Sequence, residues 1–172
     1  MKVKKAILKT ILYMPFYLAV VAFYHLVYYQ TVIDRDIIIV PVLLSILTVY
    51  INIFEYDKYN DLPPGDYLES RHQKHVEYSD EAWMACKHFN THLVSYDADV
   101  LEYSKDEIEY KIKFNILIGQ LNSILAFKHR NDKIEISIKK QYITFLPDRG
   151  VNLKIIRQVE KKLKFYAEYG LN

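Results

Sequence analysis

Residues 6–29 read AILKTILYMPFYLAVVAFYHLVYY, and this stretch decides the architecture. Its single charge, Lys9, stands near the start, where a long side chain reaches back toward lipid headgroups. About 20 residues at the helical rise cross a hydrocarbon core of roughly 30 Å, so the stretch is long enough to span a bilayer. A cleaved signal peptide also opens on basic residues, but its apolar core is only about 7 to 15 residues long and ends at an A-x-A-like site. This run is longer, rich in aromatic residues, and meets no such site before the polar loop that follows.

A second stretch, 37–54 (IIIVPVLLSILTVYINIF), carries no charge and begins after a short loop. The pair predicts a transmembrane hairpin over residues 1–54, with Pro15 and Pro41 as modest kinks of the kind membrane helices tolerate. Ser45, Thr48 and Asn52 either bond across the helix pair or satisfy carbonyls of their own helix. His25, near the outer end of the first span and without an acidic neighbour there, reads as an interfacial polar residue rather than a pH-sensitive group. Lys2, Lys4, Lys5 and Lys9 precede the first span, whereas the loop between spans holds only Arg35, and Lys58, Arg71 and Lys74 follow the second. By the positive-inside rule both the N-terminus and the C-terminal domain face the cytoplasm, at the inner membrane.

The rest of the chain changes character. Residues 55–65 form a polar linker in which Pro63, Pro64 and Gly65 stop any helix leaving the membrane. The remaining 66–172 predict a cytoplasmic α+β domain. A short helix is expected over 66–76 with Asp66 as its cap, and a better one after Ser79, where a serine cap precedes Asp80 and Glu81 and turns Trp83, Cys86 and Phe89 inward. Ile108, Tyr110, Ile112 and Phe114 alternate with charged residues, as do Ile134, Ile136 and Ile138, which is the signature of half-buried strands. Further strands are expected at 100–103, 124–128 and 142–146, with a hairpin turn at Arg130-Asn131-Asp132. After a turn at Asp148-Arg149-Gly150, the stripe Ile155, Ile156, Val159, Leu163 and Tyr166 predicts a C-terminal amphipathic helix. The fold class is therefore α+β: a two-helix hairpin, then four or five antiparallel strands packed with flanking helices. This order of elements is similar in layout to small bacterial membrane proteins, some with a pleckstrin-homology-like domain, although no residue motif carries the likeness.

Composition narrows the chemistry. The 23 basic and 21 acidic residues leave a formal net charge of +2, which gives no electrostatic footprint for nucleic acid. One cysteine, Cys86, allows no internal disulfide and suits a reducing compartment. Among the 16 tyrosines, several fall at the ends of the apolar runs, where amphipathic rings favour the membrane interface.

The densest group of chemistry-bearing residues is His72, His75, Cys86, His88 and His92, whose spacings of three and four would share a helical face. Zinc takes such ligands, but the group lacks the C-x-x-C or H-E-x-x-H patterns that make a metal assignment specific. Cys86 on an apolar face reads as a small core residue, with no adjacent base to make it a nucleophile. Asp97, Asp99, Glu107 and Glu109 read as the solvated side of a sheet, and no phosphate-binding or nucleophile-elbow glycine motif occurs. No catalytic, cofactor-binding or metal residue is assigned, and no cofactor. Lys154, Arg157, Lys161, Lys162 and Lys164 give the last helix a basic face suited to solvent or to anionic lipid. The expectation is a membrane-anchored, non-enzymatic protein that binds a protein partner or associates with itself. The alternative is a sensor that takes a small signal such as a nucleotide and oligomerises through its hairpin.

Overall fold

The computed structural model describes residues 2–28, 35–59, 61–62, 65–89, 93, 97–113, 122–142, 144 and 150–170. The described residues fall into two compact units, one up to Glu69 and one from Ser70 onward.

In the first unit, helix α1 (Lys2–Tyr28) packs against α2 (Asp36–Tyr56), and both are long and apolar enough to cross a membrane. The facing sides are narrow. Lys9, Tyr13 and Val21 are buried on α1, at steps of four and eight residues, and Pro41, Ser45, Val49, Asn52 and Tyr56 on α2, at steps of three and four, spacings that keep one stripe on the partner helix. The polar residues of α2 divide their roles: Thr48 meets the Tyr17 hydroxyl across the pair at 2.7 Å, whereas Ser45 and Asn52 donate to Pro41 and Thr48 carbonyls of their own helix. His25 likewise turns back, its Nδ1 3.1 Å from the Val21 carbonyl.

Lys9 has a protein partner, Glu69, with Nζ 2.8 Å from the carboxylate, in place of the expected reach toward headgroups. Lys5 meets the same carboxylate at 3.0 Å, and Lys2 meets Asp57 at 2.7 Å. The Tyr56 hydroxyl also donates to the Glu69 carbonyl. These ties hold the start of α1 beside the segment that leaves α2. Burial pushes the Glu69 carboxyl up, but hydrogen bonds from Lys9 and Lys5 outweigh it and hold the group below its ordinary value. Burial and the Asp57 carboxylate push the Tyr67 phenol up to about 12.

The second unit is a five-stranded antiparallel sheet in the order β1-β5-β4-β3-β2. Its strands are β1 (His72–Glu77), β2 (Ala98–Tyr103), β3 (Glu107–Ile112), β4 (Ser123–Arg130) and β5 (Lys133–Lys140), with α3 (Asp80–Lys87) after β1 and α4 (Val151–Tyr169) after β5. Alternation does the sorting: Ile108, Tyr110, Ile112, Leu125, Phe127, Ile134, Ile136 and Ile138 form one core with Ala82, Cys86 and Phe89 and with Ile155, Ile156, Val159 and Leu163 of α4. Burying one such side chain is worth about 1.5–3 kcal/mol.

Local chemistry sets the ends of these elements. Ser79 caps α3, its Oγ accepting from the Ala82 N–H at 3.0 Å. Tyr110 donates from its hydroxyl to the Cys86 and Lys87 carbonyls at 2.7 and 2.9 Å, satisfying the far end of α3 from the sheet. Asn131 and Asp132 both take left-handed backbone, φ 46° and 59°, which is the two-residue turn whose twist matches that of its strands. Gly150 takes φ 69° at the residue before α4, a conformation that glycine adopts without a Cβ penalty.

Among the described residues two expected elements are not found. Instead of a helix over 66–76, residues 65–68 turn, Leu68 takes φ 60°, and His72–Glu77 is a strand paired with β5. A left-handed residue ends any helix begun at Asp66, and ladder bonds to β5 then outweigh the helical spacing of the histidines. The strand expected at 142–146 fails at Tyr142, which lies in a bend after β5, and at Thr144, which lies in a turn. Residues 143, 145 and 146, like Phe114, Asp148 and Arg149, lie outside the described residues.

Candidate functional site

The structure separates the residues that the sequence grouped. His72 and His75 stand three apart on a strand, so His72 faces the core with Val76 while His75 is exposed on the other face. Cys86 is fully buried, and burial pushes its thiol well above the ordinary range, which leaves it an inert core group. His88 is exposed at the end of α3, and His92 lies outside the described residues. Among the described residues no three His, Cys, Asp or Glu side chains gather to hold a metal.

The acidic residues are spread among lysines. Lys113 meets Asp97 at 3.2 Å and Asp99 at 3.1 Å, and Glu107 pairs with Lys128. Hydrogen bonds to Asp99 and Asp97 raise the Lys113 pKa, as pairing requires. Asp97 and Asp99 thus share one lysine, and Glu107 has another.

A groove of about 430 Å³ opens instead along α3, lined by Tyr78, Trp83, Met84, Lys87, Asp106 and His129 among others. The Tyr78 and His129 rings stack at 4.1 Å and 17°, with Trp83 tilted against His129 at 6.0 Å. The His129 N–H of the backbone donates to the Asp106 carbonyl at 2.8 Å, which brings the β2–β3 turn to the end of β4. Tyr78 donates to Asp80 at 2.9 Å, and that hydrogen bond, with lesser help from burial, raises the phenol pKa. The arrangement offers aromatic surface, a polarisable Met84 and charges of both signs.

The second feature is the sheet edge. Among the described residues strand β2 pairs only with β3, and its register shifts between Val100 and Glu102, leaving Leu101 at a bulge. Val100, Leu101 and Tyr103 are 56%, 49% and 58% exposed. Val100 and Tyr103 stand opposite Tyr110 and Ile108, on the helix-covered side of the sheet, while Glu102 stands opposite Glu109 on the other side. The chain matches no family model, no curated protein and no solved structure.

Residue spacing alone places neither the groove nor the exposed residues of β2. Tyr78, Asp106 and His129 come from three separate elements, so only the registers of β1 on β5, β5 on β4 and β3 on β4 bring them together. The edge had one visible signal, the apolar pair Val100-Leu101 in a segment too short to fill both faces of a strand.

Proposed function

We propose that this chain is a membrane-anchored, non-enzymatic protein whose sheet domain binds a protein partner at the inner membrane surface. The observation that carries the reading is β2. An edge strand offers a row of backbone donors and acceptors, and natural proteins usually blunt such edges with charge, proline or cover. Here apolar side chains stand exposed along it, which suits addition of an extended segment of a partner as a further strand. Anchoring is supported by the first unit: Ile11, Phe23, Leu26, Ile38, Leu43, Leu47 and Phe54 are all exposed on a helix pair, a surface that lipid covers and water does not tolerate. The lysine distribution supports a cytoplasmic domain.

The test is photo-crosslinking in native membranes from a benzoylphenylalanine at Leu101, with His75 on the opposite edge strand as control. A discrete protein adduct at 101, absent at 75 and lost in Val100→Lys, is the expected result. An inserted protein that gives no adduct from positions 100 to 103 overturns the reading.

One observation favours the alternative of a ligand sensor, namely the groove beside Tyr78, Trp83 and His129, since converging aromatic and polar groups are what small-molecule sites offer. A nucleotide that raises the unfolding temperature of the wild-type chain but not of Tyr78→Ala would move the assignment there.

A further inference from the structure

The buried stripe of α4, Ile155, Ile156, Val159 and Leu163, accounts for one side of the helix. At 100° per residue, Phe165 falls on the opposite side from Ile156 and Leu163, where an amphipathic helix places polar residues. It is 56% exposed there, and Tyr169, one turn on, is 66% exposed. Their rings lie 5.1 Å apart, so the two form a single aromatic surface rather than isolated side chains.

Lysines outnumber carboxylates around this surface. Lys161 and Lys162 stand one turn before Phe165, and Lys154 stands on the same side further up the helix, all three exposed. Glu160 is turned away and occupied, 3.5 Å from Lys74 and 2.8 Å from Lys164. Glu168 is the one carboxylate left beside the aromatic pair on this helix. Exposed aromatics flanked by lysines are the composition of a helix that lies in a membrane interface, with rings at headgroup depth and ammonium groups at the phosphates.

We propose that the C-terminal half of α4 lies on an anionic phospholipid surface, Phe165 and Tyr169 entering the headgroup layer and Lys161 and Lys162 meeting lipid phosphates. The proposal rests on the membrane-anchored reading, because an anchored domain is held at high local concentration beside the bilayer. It does not rest on the β2 partner.

The experiment uses the full chain in nanodiscs of phosphatidylcholine, with or without phosphatidylglycerol, and with brominated phosphatidylcholine as quencher. Phe165→Trp places a reporter at the contact, and the wild-type chain, whose one tryptophan is buried Trp83, gives the baseline. In anionic discs the emission added by Phe165→Trp should shift to the blue and fall roughly two-fold on bromolipid, since burial of the ring at headgroup depth is what the geometry requires. The quenching should be lost in neutral discs, in about 0.5 M salt, and in the added presence of Lys161→Glu and Lys162→Glu. Emission typical of water with no quenching in anionic discs overturns the proposal, and so does a blue shift without quenching, which would put protein on this face. Failure of the chain to enter discs at all is a separate result, and it would strike the anchored reading itself.

Discussion

Asn152 is 1% exposed in the first turn of α4, and both ends of its amide are used. Its Oδ1 accepts from the Ser123 hydroxyl at 2.8 Å, and its Nδ2 donates to the Ser70 carbonyl at 2.8 Å. One side chain thus joins the helix start, the first residue of β4 and the segment entering β1. Asn152→Ala removes both bonds and leaves two buried groups to find new partners. Each lost bond costs about 1 kcal/mol net and each unsatisfied group adds to it, so the expected destabilisation is about 2 to 4 kcal/mol. For a unit of about 100 residues this lowers the unfolding midpoint by roughly 10 to 20 °C. Ser123→Ala, which removes the bond to Asn152, should also destabilise, and the double variant should cost less than the two single costs added, because they share that bond. Trp83, in the same unit, reports the transition in detergent by its fluorescence. A loss below about 0.5 kcal/mol for Asn152→Ala, the scale of an ordinary surface change, would refute the reasoning.

Three further outcomes are expected. Asp132→Gly should stabilise the sheet unit by roughly 0.5 to 1 kcal/mol, because glycine takes the left-handed second position of this turn without strain while the backbone carbonyl that accepts from Tyr78 is retained; a midpoint that falls in urea would count against it. Cys86 should resist maleimide in the folded chain and react on unfolding, since its thiol is both buried and pushed up; rapid labelling in native buffer is the contrary result. Because Glu69 is held below its ordinary value of 4.5, its contribution to stability should be full above that pH and lost as pH falls through the lower native value. Hydrogen exchange at residues 65–69 should rise over that acid range in the wild type and be independent of pH there in Glu69→Gln, once corrected for intrinsic rates.

Much of the fold was legible because its signals are local. Ser79 with Asp80 and Glu81 marks a helix start wherever it occurs, and Ile134, Ile136 and Ile138 alternate too regularly for anything but a strand. The turn at Asn131-Asp132 follows from residues that tolerate positive φ. β1 failed this kind of reading because HQKHVE carries one aliphatic residue, Val76, so no alternation shows until β5 supplies the partner ladder. The histidines misled for a related reason: a spacing of three unites side chains on a helix and separates them on a strand. The groove was out of reach because its rings meet through strand register, which a single sequence does not state.

The position of β1 bears on how the chain is made. Strands β2 to β5 follow one another as neighbours and can zip as they emerge, but Glu77 must find Lys133, and its strand sits beyond β5 at the sheet's margin. Closing that long loop carries an entropic cost that the successive hairpins avoid. During synthesis β1 is the first of the five strands to leave the ribosome, and its partner β5 is the last. The outward residues of β1, Gln73, His75 and Glu77, are polar and exposed, which keeps the strand soluble and unattractive to other chains.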